Sequence, residues 1–271
     1  MSGSQSTDIE RTLQSLSVHQ KWENSYRTAD NEEFYEQAFD YITSVLNAPK
    51  NSKFLDAGCG TCAHSIRLAK RGYSILAIDF SESILKKAQQ HLQSTNLHNN
   101  IRLQRENILS LPFTDGTFDY ILCWGVLMHI PDVEKALSEL HRVLKTHGIL
   151  VISEGNMHSL QSIILRILKL LLRGEKATVK KTVAGLESWV LTSTGMLLTR
   201  QTNVRWLKNR LKDSGFIIKK HVAGQFTELY TKISSPLLRH IIHRFNRFWF
   251  NYVRIPYIAF GNILIVQKEP S

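Results

Sequence analysis

Hydrophobic and polar positions between residues 53 and 154 form a repeating pattern of short apolar runs and longer amphipathic segments. The runs KFLDA at 53–57 and SILAID at 74–79 are typical of buried strands. The segment SESILKKAQQHLQST at 81–95 has apolar residues three and four positions apart, which indicates a helix, and Ser81 can cap its start. Strands that are separated by helices predict parallel βαβ units in one doubly wound α/β sheet.

The predicted sheet continues to the end of the chain and is interrupted once. A helix is predicted at 131–148, because Pro131 stands near its start and Gly148 follows its end. Beyond residue 155 the rhythm stops, and 156–202 is predicted to be helix and loop without a core strand. The predicted strands lie at 53–57, 74–79, 101–106, within 111–124, and at 149–154, 216–222 and 257–269.

The chain is predicted to form one domain with additions to its core, which its length of 271 residues allows. Residues 1–7 are polar and are expected to form a disordered tail, and residues 8–271 form the domain. Its predicted parts are a helical cap at 8–47, a core at 48–155, a helical insertion at 156–202 and a C-terminal part at 203–271. The C-terminal part contains a basic, aromatic helix and the last strands.

Charge is unevenly distributed along the chain, whose net charge is +11. Residues 1–158 hold 15 Lys+Arg and 18 Asp+Glu, a net charge of −3. Residues 159–271 hold 19 Lys+Arg and 5 Asp+Glu, a net charge of +14. The second part should therefore attract an anion, such as a membrane lipid, nucleic acid or an acidic substrate.

Two amphipathic segments carry part of this positive charge. LQSIILRILKLLLR at 160–173 places leucine and isoleucine at helical spacing, and LLRHIIHRFNRFWFNYVRI at 237–255 mixes Arg and His with aromatic residues. This composition suits a helix at a membrane interface, a lid over an apolar acceptor, or a helix that caps the domain. The first segment is too short and charged to span a bilayer. We recognise no nucleic-acid-binding module, so nucleic acid is not an expected partner.

Cysteine usage and the N-terminal residues predict a cytoplasmic protein, with peripheral contact to the inner face of a membrane as the further expectation. Cys59, Cys62 and Cys123 are too few for a disulfide framework. The start MSGSQSTDIE lacks the basic and apolar parts of a secretory signal. Cys59 and Cys62 also form a CxxC pair with His64 nearby, but no second ligand pair accompanies them, so we expect no metal site.

The segment LDAGCGTCA at 55–63 has the composition of a nucleotide-binding turn between a strand and a helix. Gly58 and Gly60 allow a tight turn and a close approach of the cofactor, and Asp79 at the end of the next strand can accept hydrogen bonds from a ribose diol. This spacing also fits a dinucleotide, so an NAD-dependent oxidoreductase stays open. Asp56 favours a cofactor with a cation nearby, because a carboxylate would repel a pyrophosphate.

Four motifs together resemble the S-adenosylmethionine (SAM)-dependent methyltransferases of the type 11 group. They are LDAGCGTCA, AIDFSESIL, LPFTDGTFDYI and CWGVLMHIPDVEKALSELHRVLKTHGILVISE, and they cover residues 53–154. The resemblance implies a Rossmann-like sheet of seven strands, mostly parallel, with the last strand antiparallel. It also implies methyl transfer from SAM to a small molecule, which we expect to be lipid-like, quinone-like or a glycan precursor, with oxygen as the favoured acceptor atom. A SAM-binding protein without turnover is the remaining alternative.

The resemblance also assigns the cofactor contacts by position. Asp56, Gly58 and Gly60 would line the methionine and ribose, Asp79 would hold the ribose hydroxyls, and Phe80 would pack on the adenine. Asn107 replaces the usual Asp at the adenine amino group, and its amide oxygen can still accept that hydrogen bond. The cofactor residues expected in this way are Asp56, Gly58, Gly60, Asp79, Phe80, Asn107, Ile108 and Trp124.

The acceptor side depends on fewer signals. His129, just past the fourth strand, is the candidate general base, since its reference pKa of about 6.5 suits proton removal from a hydroxyl or amine. The alternative is that it only shapes the pocket. Glu154 ends the fifth strand and should point into the cleft, because ligands bind at the carboxyl ends of parallel strands. A polar contact with the acceptor and a helix-cap role are equally open for it. Trp22 and Tyr26 are expected to wall the acceptor pocket, and Trp124 could wall it as well. Core packing is equally open for Trp22 and for Trp124.

Overall fold

The computed structural model of the chain describes residues 12–171, 179–192 and 195–270, so the predicted tail at 1–7 lies outside the described residues. The strands are β1 (Lys53–Ala57), β2 (Ser74–Asp79), β3 (Ile101–Arg105), β4 (Phe118–Trp124), β5 (Leu144–Gly155), β6 (Val179–Lys181), β7 (Gly185–Thr192), β8 (Gly195–Thr202), β9 (Phe216–Ala223) and β10 (Gly261–Lys268). The helices are α1 (Leu16–Tyr26), α2 (Ala29–Leu46), α3 (Ala63–Lys70), α4 (Glu82–Gln93), α5 (Val133–Val143), α6 (Leu160–Leu171), α7 (Val204–Asp213) and α8 (Pro236–Phe248).

Seven strands form the central sheet in the order β3-β2-β1-β4-β5-β10-β9. The pairs from β3 to β5 are parallel, and β10 is antiparallel to both of its neighbours. The prediction of a mostly parallel seven-stranded sheet with an antiparallel last strand is confirmed. Because β1, β2 and β4 are parallel, their carboxyl ends lie at one edge of the sheet. The strand order reverses between β1 and β4, and ligands bind in the crevice that such a reversal opens at this edge.

Side chains of successive strand residues pack on opposite faces of this sheet. Phe54 belongs to the core beneath α2, α3 and α4, whereas Leu55 belongs to the core beneath α5 and α7. Both side chains are almost fully buried. Since side chains of a strand alternate between the two faces, a strand covered on both sides is apolar throughout. This is why the short apolar runs predicted these strands correctly.

The predicted cap at 8–47 contains helices α1 and α2 in its described part. Thr28 caps α2, because its side chain accepts a hydrogen bond from the Asn31 amide. Helix α2 packs on α3 through ion pairs of Arg67 with Glu32 and Glu36. The cap therefore lies against the helix that follows the glycine-rich turn.

The prediction that the insertion at 156–202 is helix and loop is wrong for its second half. Helix α6 is followed by an antiparallel sheet in the order β6-β7-β8. From Leu198 onward every second residue of β8 is buried, and two of these three inward residues are the polar Arg200 and Thr202. Because polar side chains occupy most of the inward positions, the strand lacks the apolar alternation by which strands are recognised.

Helix α6 turns its apolar face outward. Ser162 and Gln161 are buried, whereas five large apolar side chains are between 39% and 51% exposed, namely Leu160, Ile163, Ile164, Ile167 and Leu168. Residues 172–173 of the predicted amphipathic segment lie outside the described residues. Within the described parts of the chain, no helix combines the length and apolar character that a bilayer span requires.

Candidate cofactor and acceptor site

The glycine-rich turn after β1 has a backbone that only glycine fits well. Gly58 has a φ of +89°, and a Cβ there would lie 2.5 Å from a Val126 methyl carbon. The amides of Gly58 and Cys59 both donate to the carbonyl of Ile78, at 2.8 Å each. At Gly60 a Cβ would meet no atom within 4 Å, so the backbone there borders open space. The turn thus presents main chain to a ligand at the edge of the sheet.

Asp79 connects this turn to the next strand. One carboxylate oxygen accepts the Gly60 amide at 3.0 Å, and the other accepts the Ser81 amide at 2.9 Å. Burial raises the pKa of this carboxyl, which lines the cavity at the edge of the sheet. Each carboxylate oxygen has a second lone pair, so both can still accept a hydroxyl. The backbone orients Asp79 for such a ligand.

Asp56 lies beneath the turn and is not among the residues that line the cavity. Its carboxylate accepts a hydrogen bond from the Ser65 hydroxyl at 2.5 Å, and burial raises its pKa to about 7. The predicted direct contact with the cofactor therefore finds no support in this arrangement. Asp56 is the last residue but one of β1, and the alternation of the strand directs its side chain to the face covered by α3. There the Ser65 hydroxyl of that helix uses one of its carboxylate oxygens.

The residues assigned to the adenine end line one part of the cavity, namely Phe80, Asn107 and Ile108. The Asn107 side-chain oxygen accepts the Leu109 amide at 2.9 Å, which closes a local turn. One lone pair of that oxygen is therefore used within the chain, and one is left for a ligand amino group. The cofactor role of Phe80, Asn107 and Ile108 stays a prediction.

The cavity extends from the glycine turn to an aromatic enclosure beneath the cap and has a volume of about 290 Å³. Trp22 and Tyr26 from α1 and Trp124 from the end of β4 line it. Their role as walls of an acceptor pocket stays a prediction. Tyr35 from α2 lines it as well, with its ring 6.1 Å from that of Trp124. Rings on several sides suit a flat, apolar acceptor.

His129 lines the cavity and is fixed in one orientation. Its Nδ1 lies 2.7 Å from the Leu198 carbonyl oxygen, which can only accept, so the ring proton is on Nδ1 and Nε2 has a free lone pair. The ring stacks on Trp22 with the centroids 4.7 Å apart. Burial lowers the pKa of His129 to about 4. The imidazole is therefore neutral at pH 7 and is a much weaker base than its reference pKa of about 6.5 implied. Its role as general base stays a prediction.

Glu154 does not belong to the acceptor pocket, which corrects the sequence prediction. It is 3% exposed, is absent from the cavity lining, and accepts a hydrogen bond from the Thr202 hydroxyl at 3.3 Å. Burial raises its pKa to about 8, although the nearby Arg200 acts in the opposite direction. The insertion strand β8 covers the end of β5 and separates this carboxyl from the cleft.

Sequence reasoning missed two polar residues of the cavity wall that come from α3. His64 stacks on Phe39 with the rings 5.1 Å apart and 7° from parallel, and burial lowers its pKa well below the usual value. Arg67 is 2% exposed and lies 3.2 Å from the His64 Nδ1. Their spacing of three residues in the helix after the glycine turn places them on one face, and this signal could have identified them.

A third missed residue is Arg27, just after α1. Its guanidinium lines the cavity and lies 3.6 Å from Glu23 and 3.9 Å from Glu32. It also donates to the Thr61 hydroxyl at 3.4 Å. These contacts are long, and the side chain is 31% exposed, so the positive charge is available to an anionic group in the cavity.

Comparison with known proteins places the chain in a family. A model described as a methyltransferase domain matches residues 48–210, more than half of the chain. The demethylmenaquinone methyltransferase of Geobacillus stearothermophilus is 37% identical over 118 residues, which are 42% of this chain and 50% of that protein. The enzyme of the same name from Staphylococcus epidermidis is 37% identical over 123 residues, which are 44% of this chain and 50% of that protein. The chain spans about half the length of the curated relatives it matches.

Solved structures agree on the fold. Magnesium protoporphyrin IX methyltransferase from Synechocystis PCC 6803, with bound S-adenosylhomocysteine (SAH), has a TM-score of 0.64 at 19% identity and covers 96% of this chain and 99% of its own. A SAM-dependent methyltransferase from Methanosarcina mazei has a TM-score of 0.61 at 20% identity, and the match covers 84% of this chain and 98% of that protein. These findings do not favour the dinucleotide alternative. The chain belongs to the methyltransferase domain family, with SAM as its cofactor.

Proposed function

We propose that the protein transfers the methyl group of SAM to a ring hydroxyl of a small, flat, largely apolar acceptor of the quinol or phenol class. The supporting observation is one cavity that joins the glycine turn to an enclosure of aromatic rings. Two curated relatives are named for a quinone substrate, which supports the ring class of the acceptor and not the choice of oxygen as the acceptor atom. SAM is already activated by its sulfonium charge, so the protein mainly has to align the acceptor and exclude water.

The residues at the sheet edge fit SAM in three respects. Asp79 keeps lone pairs that could accept the ribose hydroxyls, Phe80 offers a ring for the adenine, and the open backbone at Gly60 leaves room for the methionine part. Arg27 is the cation best placed for the methionine carboxylate, since its present partners are distant. Trp22, Tyr26 and the other rings then enclose the acceptor.

Calorimetry with SAH and NADH tests the cofactor part of the proposal. The wild-type protein should bind SAH and not NADH. Asp79→Asn should weaken SAH by about 10- to 100-fold, since it loses charge-assisted hydrogen bonds that are each about 1.5–3 kcal/mol. Asp213→Asn, at an exposed residue of α7 far from the cavity lining, is the matched control. Binding of NADH without SAH would refute the proposal.

Methyl transfer to reduced 1,4-naphthoquinones and simple phenols tests the acceptor class. Wild-type protein with isotopically labelled methyl SAM should form a methyl ether that NMR distinguishes from a ring-methylated product. A ring-methylated product would keep the acceptor class but refute the oxygen assignment. SAM binding without product from any of these acceptors would refute the acceptor class.

We also propose that the C-terminal part contacts an anionic bilayer. Helix α8 exposes Leu237, Leu238, Ile241, Phe245 and Phe248. The α6 amide of Leu160 donates to the carbonyl of Ile258, which is also exposed, so the apolar faces of α6 and of residues 255–258 adjoin. Exposed cations such as Arg239 and Arg244 accompany the apolar side chains, and residues 159–271 have a net charge of +14. Apolar and basic groups together suit an anionic lipid surface better than a neutral one.

Flotation with vesicles of phosphatidylcholine, with and without phosphatidylglycerol, tests this contact. Wild-type protein should float with anionic vesicles at low salt. The double variant Ile164→Asn/Ile241→Asn should no longer float with these vesicles. The control Ile217→Asn, which alters a comparably exposed residue on β9, should still float. Wild-type protein that stays at the bottom at low salt would refute the contact.

A further inference from the structure

A tyrosine of the cavity wall is hydrogen-bonded to a carboxylate from the far end of the chain. The Tyr26 hydroxyl donates to Glu228 Oε2 at 3.0 Å, across 202 residues of sequence. Tyr26 is the last residue of α1, and Glu228 precedes the short helical turn Leu229–Lys232. The Glu228 amide donates to the Gln161 side chain at 2.7 Å, which fixes the backbone that carries this carboxylate.

Among the described residues, Glu228 is surrounded by phenols. Among the residues that the structure describes, no ion pair involves this carboxylate, and burial raises its pKa to about 7. Its charge is the largest cause of the raised pKa of Tyr26. It also adds to the effect of burial at Tyr35 on α2 and at Tyr230 on its own turn, and the pKa of each of these phenols is raised. The positive charge of Arg67 acts on Tyr35 in the opposite direction.

We propose that Tyr26 and Glu228 form a proton relay that takes the proton from the acceptor hydroxyl during methyl transfer. The hydroxyl proton moves to the Tyr26 oxygen while the Tyr26 proton moves to Glu228. The acceptor oxygen forms a bond to the methyl carbon, and the bond from that carbon to sulfur breaks with its electron pair going to sulfur. The products are the methyl ether, neutral SAH and a protonated Glu228, so charge and atoms balance.

Tyr26 is the catalytic residue of this pair, since it lines the cavity and would touch the acceptor. Glu228 is a positioning residue and proton sink that acts through Tyr26, because it is not itself among the lining residues. The carboxylate form is required before transfer, so turnover should rise with pH through about 7. His129 has a pKa near 4 and would give a rate that is constant over the same range.

The relay rests on the proposed function, and its test compares Glu228→Gln, Tyr26→Phe and the wild type with a naphthoquinol or phenol that the wild type methylates. Glutamine can still accept the Tyr26 hydrogen bond but cannot take a proton. We expect both variants to bind SAH within about twofold of the wild type. Their kcat at pH 8 should fall by about 10²- to 10⁴-fold, the usual contribution of general base catalysis. The rise of rate through pH 7 should disappear, and Glu228→Asp should restore part of it.

Controls separate this result from general damage. Tyr120→Phe removes a hydroxyl from a ring that stacks on Phe54 outside the cavity lining, and Glu134→Gln neutralises an exposed carboxylate on α5; both should keep the wild-type pH profile. Glu228→Gln with wild-type kcat and pH profile would overturn the relay and leave the methyltransferase proposal intact. Wild-type protein that binds SAH but methylates none of these acceptors would overturn the proposed function and the relay with it.

Discussion

Replacing Arg200 by methionine should destabilise the protein and loosen the loop that carries His129. The Arg200 side chain is 3% exposed and pairs with Glu187, which is 7% exposed, through two contacts of 3.1 and 3.2 Å to the same oxygen. Its other terminal nitrogen donates to the carbonyls of Leu127 at 3.1 Å and Ile130 at 3.0 Å. One guanidinium thus fastens the insertion sheet to the turn after β4.

The cost can be worked from these contacts. Methionine preserves most of the volume but leaves the buried Glu187 carboxylate without its countercharge, although the Thr182 hydroxyl still donates to it at 3.3 Å. Breaking one side of a buried ion pair costs about 3–5 kcal/mol. Each kcal/mol lowers Tm by about 2–4 °C in a domain of this size class, so Tm should fall by about 6–20 °C. The double variant Arg200→Met/Glu187→Leu should recover much of this loss, because no charge is then left unpaired.

Urea unfolding followed by tryptophan fluorescence measures these differences in the free energy of unfolding. The matched control is Arg210→Met, which breaks an ion pair with Asp213 whose side chains are 39% and 60% exposed. That change should cost less than about 1 kcal/mol. If Arg200→Met costs no more than Arg210→Met, or if the double variant is no more stable than the single one, the reasoning from burial is wrong.

Three further predictions concern the cavity and its ionisable groups. Gly58→Ala should lower SAH affinity at least about 10-fold in calorimetry, since its Cβ would clash with Val126 and a left-handed backbone costs a non-glycine residue about 1–2 kcal/mol. Gly116→Ala is the control, because Gly116 has a φ of +63° but no close neighbour, and it should leave SAH affinity unchanged. His129→Ala should raise the KM of the acceptor more than it lowers kcat, because a neutral ring stacked on an indole shapes the pocket; a fall in kcat alone would favour the base role. Burial raises the folded-state pKa of Asp56 to about 7 and of Glu154 to about 8, so the folded protein binds more protons in this range than the unfolded chain does. The Tm of the apo protein in scanning fluorimetry should therefore rise as pH falls from about 8 to about 6.5. A Tm that does not change with pH over this range would contradict the reasoning.

The central sheet could be predicted because its strands are buried on both faces and its turns need glycine. An apolar run such as KFLDA leaves few alternatives, and the backbone at Gly58 restricts that position to one residue type. The boundary between α5 and β5 was harder to predict, since the chain passes from Val143 directly into a strand at Leu144 with no intervening loop. Local signals therefore give the strands and the cofactor turn, and they fail where one element runs into the next.

The insertion and the outward face of α6 could not be predicted for a different reason. Two of the three inward residues of β8 are Arg200 and Thr202, so the strand shows no apolar alternation. The burial of Arg200 depends on a partner 13 residues away, Glu187. The direction of α6 is set by the buried hydrogen bonds of Gln161 to the segment at 227–228. Its apolar stripe alone would have predicted the opposite orientation, because such a stripe normally faces the core.

The acceptor half of the cavity shows the same dependence on distant polar pairs. Tyr26 is held by Glu228, and Asn31 accepts a hydrogen bond from the Gln225 side chain at 2.6 Å, although 194 residues separate the second pair. Residues 225–228 thus hold the cap from one side and contact α6 through Gln161 from the other. The segment thus connects the aromatic wall to the helix with the exposed apolar face. Two hydrogen bonds make this connection, one from Tyr26 to Glu228 and one from the Glu228 amide to Gln161 on α6. The proposed acceptor chemistry and the proposed membrane contact therefore both depend on this part of the fold, so Gln161→Ala should lower kcat and reduce flotation with anionic vesicles together.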